Sequence, residues 1–471
     1  MKTLYYGNNL MILRDHIASE SVDLIYLDPP FQSGKNYNLL FQEQDGSKSK
    51  AQIQAFEDTW HYDNESEKTY LEIRRTCNSK VVKTIDGFQG MLGTSDMMAY
   101  LVMMTIRLVE LHRVLKSSGS LYLHCDPTAS HYLKIVLDSV FDAKNFRNEI
   151  VWFYKDPSGK TIRFFRRKHD VLLFYSKSED YTFNVDAIRI PYSEGTQKQI
   201  DNGVISFGRI SKGNPLGKVQ EDVWDISIIN SQAKERLGYP TQKPKALLER
   251  IIKASSNEND IVLDPFCGCG TTIAAAQELK RNWIGIDITH LAIGLIKRRL
   301  KKAFGEDVKY KIVGEPTDTE SAHILWEQNP YQFQCWAVNL IEGCPTKPGG
   351  DKGIDGYKYF EDPKAQQMII SVKGGNITPS YIRDLKGVVN REKAALGIFI
   401  SFEEATREMH KEAAATGFYE SDLGSKHPKI QLLTIKELIE GKKIDYPRGA
   451  IDKTFKNAKR AKMNKEIQEE F

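Results

Sequence analysis

Four consecutive residues, Asp28-Pro29-Pro30-Phe31, put a carboxylate, free backbone carbonyls and an aromatic ring at one point of the chain. This set suits attack by an exocyclic amino group of a nucleic-acid base. Such a nitrogen is a poor nucleophile because its lone pair is delocalised into the ring. A carboxylate and a carbonyl that each accept one N–H would localise that pair, and Asp28 and Pro29 offer both acceptors. Phe31 offers a face for a base taken out of its stack. Alone, the quartet also reads as a strand stopped by a Pro-Pro turn, with Phe31 in the core.

A second stretch, Asp264-Pro265-Phe266-Cys267-Gly268-Cys269-Gly270-Thr271-Thr272, sets an acid and a glycine-rich turn after the apolar run Ile261-Val262-Leu263. Gly268 and Gly270 let the backbone approach a ligand closely, and the amides of the helix that follows would face it. Trp283-Ile284-Gly285-Ile286-Asp287 then ends in an acid, where the first β-α-β unit of a nucleotide-binding sheet holds ribose hydroxyls. No Lys-Ser or Lys-Thr follows the glycines, which argues against a triphosphate-binding loop.

The elements that must position these groups are legible from pattern. Val22 to Leu27 is an apolar, β-favouring run broken by Asp23, and the prolines stop it. It follows a strand at Thr3 to Tyr6 and a helix at Leu10 to Ala18. Ligands of an open α/β sheet bind at such strand ends. Residues 32 to 95 read as a polar excursion able to close over a substrate. A helix from Met97 to Leu115, a strand from Ser120 to His124, a helix over 130 to 142 and strands at Asn148 to Tyr154 and Val171 to Tyr175 follow. His124 and Asp126 read as a turn in preference to direct chemistry. Lys155, Lys160, Arg163, Arg166, Arg167 and Lys168, interleaved with Tyr154, Phe164 and Phe165, fit phosphate contact with base stacking, or a solvated loop. Residues 178 to 238 are irregular and could read a partner's sequence. The segment Gly238-Tyr239-Pro240-Thr241-Gln242-Lys243-Pro244 precedes a helix from Lys245 to Ser255.

With 471 residues, 41% of them hydrophobic, the chain can bury a large core in two or more domains. A formal charge of +4 with 27% charged residues leaves an anionic partner to local basic patches. No apolar run of about eighteen residues and no apolar leader at Met1 to Gly7 is present, so a cytoplasmic protein without membrane association is expected. Cys77, Cys125, Cys267, Cys269, Cys335 and Cys344 lack the spacing of a zinc site or a disulfide framework.

The two motifs, with the Asp-Pro-Pro-Phe quartet first, resemble the amino-methyltransferases of DNA, specifically the permuted β group. The resemblance covers about residues 1 to 315. It implies an α/β, Rossmann-like sheet that uses S-adenosylmethionine, with an inserted target-recognition region and double-stranded DNA as partner. It implies a catalytic part at 1–154, recognition at 155–238 and cofactor binding at 239–317. Asp28 and Pro29 would hold the target amino group, Pro30 would shape the turn and Phe31 would stack on the flipped base. Phe266, Gly268 and Gly270 would surround the cofactor, with Thr271 and Thr272 at the start of the helix; Asp264 would lie beside its methionine part, as would Thr241, Lys243 and Pro244, and Asp287 would hold its ribose. Asn8 stands where many members have Asp, and can still bond an adenine edge. Asp as the first motif residue resembles enzymes acting on adenine N6 more than on cytosine N4. Restriction-modification or epigenetic marking is the implied setting, with a homodimer and a separate restriction subunit as further partners left open.

The pattern restarts near residue 318. A helix from Pro330 to Glu342, strands near Ile354 to Phe360 and Met368 to Lys373, a helix from Tyr381 to Ala395 and a strand from Leu396 to Ser401 form a second α/β domain, 318–450, before a charged tail, 451–471. Asp355, Ser371 and Lys373 resemble the core of the PD-(D/E)xK nucleases, with Glu342 as an added ligand and Asp355 as the metal residue for magnesium. Ser371 stands where an acidic or amide ligand is expected, which weakens a magnesium site. A magnesium-dependent restriction enzyme that uses the first half for recognition, and a DNA-binding module without activity, are the rival readings.

Overall fold

Side chains of Leu24 and Tyr26 enter one core and those of Ile25 and Leu27 another, the strict alternation of a strand buried on both faces. That strand is one of nine in the main sheet. The computed structural model describes residues 2–30, 61–154, 163, 165–201, 205–206, 209–210, 213–230, 233, 235–237, 239, 241–305, 307–346, 353–362 and 364–447. In chain order the strands are β1 (Lys2–Tyr6), β2 (Val22–Leu27), β3 (Leu115–Cys125), β4 (Phe146–Phe153), β5 (His169–Ser176), β6 (Ile205–Ser206), β7 (Arg209–Ile210), β8 (Val223–Asp225), β9 (Ile261–Asp264), β10 (Asn282–Asp287), β11 (Lys311–Val313), β12 (Cys344–Pro345), β13 (Gly356–Asp362), β14 (Lys364–Lys373), β15 (Leu396–Ser401), β16 (Phe418–Glu420), β17 (Lys426–Pro428) and β18 (Ile430–Thr434).

The main sheet runs β11-β1-β10-β9-β2-β3-β5-β4-β8. The first six strands are parallel, β5 runs against them, and β4 and β8 return to the common direction. β2 and β9 are hydrogen-bonded neighbours, with Leu24 opposite Val262 and Ile25 opposite Leu263. Asp28 and Asp264 therefore leave the sheet at the same edge, although 236 residues separate them in sequence. Asp23, the one charge in β2, accepts the Ile261 N–H at 2.8 Å and pairs with Lys116 at 2.7 Å, which explains a carboxylate inside an apolar strand.

One face of the sheet packs on helices that include Asp96–Val114 and Ser130–Phe141, the other on Lys245–Ser255, Thr271–Glu278 and His290–Phe304. The helix Lys245–Ser255 turns Leu247, Leu248, Ile251 and Ile252 inward, an amphipathic stripe behind the N-terminal Pro244. The excursion expected over 32 to 95 is corrected in its second part: Asn64–Thr76 and Ser79–Leu92 are helices, capped by Asp63 and Asn78. Ile73, Val81, Ile85 and Phe88 pack into the core. Their spacing was readable, but the surrounding charges mask it. Its first part, residues 32 to 60, lies outside the described residues.

A second sheet, β12-β13-β14-β15-β18, is antiparallel at β12-β13-β14 and parallel at β14-β15-β18. The helix Pro330–Leu340 covers one face through Phe333, Trp336, Ala337 and Val338, and Pro379–Arg391 covers the other through Ile382, Leu385, Val388 and Val389. No described helix is long and apolar enough to cross a membrane.

Candidate active site

β2 delivers Asp28 to the sheet edge, on the face it shares with Tyr26. Asp28 Oδ2 accepts from Lys243 Nζ at 2.6 Å, and both side chains are about 15% exposed or less. Asp28 Oδ1 is buried and receives no hydrogen bond from the described residues. His124 Nδ1 lies 3.9 Å from it, beyond hydrogen-bond reach. His124 is fully buried; Nδ1 faces the Tyr26 hydroxyl at 3.0 Å and Nε2 faces Asp170 at 3.2 Å. Burial alone would push the Asp170 carboxyl up, but the hydrogen bond and charge of His124, with Lys243 and Tyr154, hold it below its usual range. Asp170 is then an acceptor only, so Nε2 of His124 donates to it, while Nδ1 faces the Tyr26 hydroxyl. Asp126, by contrast, closes a turn onto the amides of Thr128 and Ala129.

The glycine-rich turn is built around two carboxylates. Asp264 accepts from Thr272 Oγ1 at 2.6 Å and from the Phe266 N–H at 3.1 Å. Asp287 accepts from the Gly268 N–H at 2.9 Å through one oxygen, and from the Thr289 N–H and hydroxyl through the other. Burial pushes Asp264 up to about 7 against its own hydrogen bonds, with the charges of Asp28 and Asp287 adding to the rise. Burial likewise pushes Asp287 up to about 6. Gly268 and Gly270 have φ of 48° and 72°, and a Cβ on Gly270 would lie 2.6 Å from Ile296. Both positions require glycine on conformation, and Gly270 on space as well.

A cleft opens between the ends of β1, β9 and β10, lined by Asn8, Asn9, Arg107, Phe266 and Asp287 among others. Asn8 caps the helix Asn9–His16, and its side chain is exposed at the cleft. Thr271 opens its helix and accepts from Arg299 at 3.0 Å. Thr241 is exposed and Pro244 buried at a helix start. Lys243, expected beside a cofactor, reaches the Asp28 carboxylate. Sequence reasoning missed Asn9, whose amide bonds the Pro265 carbonyl at 2.8 Å and accepts from Arg107 at 2.7 Å. The Asn-Asn pair directly after β1 was the available signal.

The turn from β4 to β5 lies at the same edge, because β4 runs with β2. Arg163, Arg166 and Arg167 are exposed there, Lys168 is half-buried, and Phe165 is 98% exposed. Phe31, Lys155 and Lys160 lie outside the described residues.

A family model described as DNA methylase, for N6 and N4 methyltransferases, matches residues 22–298. The chain belongs to the N6/N4 DNA methylase family. It is 32% identical over 301 residues to the type II methyltransferase M.HpaI of Haemophilus parainfluenzae, covering 64% of this chain and 74% of that protein. It is 31% identical over 305 residues to the DNA adenine methyltransferase YhdJ of Escherichia coli (strain K12), covering 64% and 83%. Among solved structures it aligns with the cytosine-N4-specific PvuII DNA methyltransferase at a TM-score of 0.40 and 16% identity, over 66% of this chain and 89% of that one. The protein is a DNA methyltransferase, and its large mixed sheet with helices on both faces is the α/β fold expected from the motifs.

Residues 341–440 of the methyltransferase match a different family model, NACHT-associated inactive Restriction Endonuclease 1. Here the structure brings Asp355, Ser371 and Lys373 together. Asp355 is 6% exposed and accepts the Val372 N–H at 2.7 Å, and Lys373 Nζ lies 3.7 Å from it. Glu342 is bonded to Lys301 at 2.9 Å. Among the described residues no group of three His, Cys, Asp or Glu side chains could hold a metal ion. One carboxylate, a neutral hydroxyl and an ammonium do not fit magnesium, which takes charged oxygen ligands.

Proposed function

We propose that this methyltransferase moves the methyl group of S-adenosylmethionine to adenine N6 of a base flipped out of duplex DNA, within a restriction-modification setting. The observation that carries the reading is Asp28, whose Oδ2 is held by Lys243 while the buried Oδ1 receives no donor from the described residues. A buried bare oxygen is costly unless a ligand satisfies it. An amino N–H is such a ligand, and the Pro29 carbonyl accepts the second one.

The cofactor cleft fits a positively charged ligand. Asp264 and Asp287 are pushed up to about 7 and 6 because each is a carboxylate taken out of water, and a cationic ligand offsets that cost. S-adenosylmethionine, when bound, supplies a methyl activated by its sulfonium. Asn8, Phe266 and Asp287 line the cleft at the strand ends and would face its nucleoside, and Thr272 bonds Asp264 behind the glycine turn. Asp28 orients the amino group, localises its lone pair and accepts the proton released when the new N–C bond forms. Alignment of nucleophile and methyl supplies much of the acceleration. The exposure of Arg163, Arg166 and Arg167 supports a role for the basic residues after β4 in contacting phosphates.

Adenine is favoured by the Asp-first motif and by the likeness to a relative named as an adenine methyltransferase. We assign the second sheet no cleavage activity, because its donor set lacks a second carboxylate. Incubation with radiolabelled cofactor and duplex DNA, followed by nucleoside analysis, tests the reading. Label in N6-methyladenine supports it; label in N4-methylcytosine, or in RNA alone, overturns the base or substrate assignment.

A further inference from the structure

The helix His290–Phe304 begins just after Asp287, so whatever fixes its first turn also fixes that carboxylate. Thr289 links the two: its N–H and hydroxyl bond Asp287 at 2.9 Å, and its oxygen caps the Ala292 N–H at 3.2 Å. The next residue is held from the other domain. The His290 N–H donates to Gln332 Oε1 at 2.8 Å, and the His290 carbonyl accepts from Asn339 Nδ2 at 2.6 Å. His290 is fully buried, Gln332 is 1% exposed and Asn339 9%. Both amide side chains come from the helix Pro330–Leu340, which covers the second sheet. The two helices leave no room between them, since a Cβ on Gly294 would overlap the Asn339 side chain. Arg298 reaches the Gly343 carbonyl at 2.6 Å and extends the same seam.

We propose that Gln332 and Asn339 are positioning residues for the cofactor site, so that the nuclease-like domain completes that site from behind by holding the Asp287–His290 turn. The proposal rests on the assignment of the cleft to S-adenosylmethionine. The physical route runs through hydrogen bonds from Gln332 and Asn339 to His290, across the Thr289–His290 peptide bond, and through hydrogen bonds from Thr289 and Gly268 to Asp287. A ligand-holding carboxylate must be kept within a fraction of an ångström, and the groups behind it set that tolerance. The buried His290 N–H is one of the orphan donors of the helix start, so losing Gln332 leaves it unsatisfied; losing Asn339 removes a second donor from a carbonyl that also accepts within the helix, and either change loosens the turn. An appended domain that had merely been joined by a linker would not supply such bonds.

The test uses the full chain and three variants: Asn339→Ala, Gly294→Ala and the double variant. Cofactor affinity is measured by calorimetry without DNA, and kcat at saturating cofactor separately. N339A removes the bond to His290, and G294A drives the Asn339 side chain away from it; each is expected to weaken cofactor binding about tenfold. The double variant is expected to bind no worse than N339A, because the side chain that the added methyl would strike is gone. kcat at saturation should stay within about twofold, since Asp28 is untouched. Gln332→Met, which removes the acceptor for the His290 N–H, gives the same weakening without altering the helix contact. Variants that melt earlier yet bind cofactor at wild-type affinity overturn the proposal, leaving the amides a structural role. Wild-type protein that binds no cofactor overturns the cleft assignment itself.

Discussion

Asp28→Asn is the substitution that separates the acceptor role of Asp28 from the shape of its site. It keeps size and planarity but exchanges a charged acceptor for a neutral amide. Two effects follow from the geometry. The Oδ1 position, buried and without a donor from the described residues, loses its charge or becomes an N–H that opposes an incoming amino group. Removing one preorganised, charge-stabilising group typically costs about 10²–10³ in rate, or roughly 3–4 kcal/mol. The wrong polarity toward the substrate adds to this, so single-turnover transfer should fall by at least about 10³. The second effect is on Lys243, 13% exposed, which loses the carboxylate 2.6 Å away. A mostly buried ammonium whose pairing is weakened destabilises by roughly 1.5–3 kcal/mol. The double variant with Lys243→Met should therefore recover thermal stability without recovering transfer. Cofactor affinity should remain within about threefold, because none of the hydrogen bonds at Asp264 and Asp287 involves Asp28. The assay is label transfer to duplex DNA with cofactor binding measured in parallel. Transfer within about tenfold of wild type, or loss of cofactor binding with transfer, would refute the reasoning.

Asp264 and Asp287 are raised on folding from 3.8, so the folded protein holds protons that the unfolded chain has released. Their contribution to ligand-free stability is greatest below the unfolded value and falls as pH rises through about 6 and 7. A cationic cofactor prefers both ionised, so its affinity should weaken as pH drops through the same window, and Asp264→Asn should flatten that dependence in calorimetric titrations. Gly270→Ala forces a side chain into φ of 72° and to 2.6 Å from Ile296. A loss of about 2–4 kcal/mol in chemical denaturation is expected, with an unchanged slope. Supercoiled plasmid incubated with the full chain and magnesium should stay intact. Nicking that disappears in Asp355→Ala would show that a single carboxylate suffices there.

Much of the fold was readable because its signals are local. β2, β15 and the helix Lys245–Ser255 lie at the bounds that periodicity and proline set. Gly268 and Gly270 have the positive φ that a tight turn before a helix requires. The helices Asn64–Thr76 and Ser79–Leu92 were hidden because four apolar anchors are diluted among charges, and tertiary burial outweighs composition there. β8 was hidden in an irregular stretch; Trp224 is buried against the sheet beneath the Arg250 guanidinium at 5.0 Å, a partner no local pattern names.

The sequence by itself determined the chemical inventory: a carboxylate and prolines at one strand end, a glycine turn at another, and the residue types a methyl transfer to an amino group needs. Those are properties of short segments, set by side-chain chemistry and backbone sterics. The tertiary structure decided which groups share a surface. It placed Lys243 on Asp28 across 215 positions, His124 on Tyr26 across 98 and Asn339 on His290 across 49. Such pairings depend on which strands become neighbours and which helices pack, and that follows from burying the whole apolar surface at once.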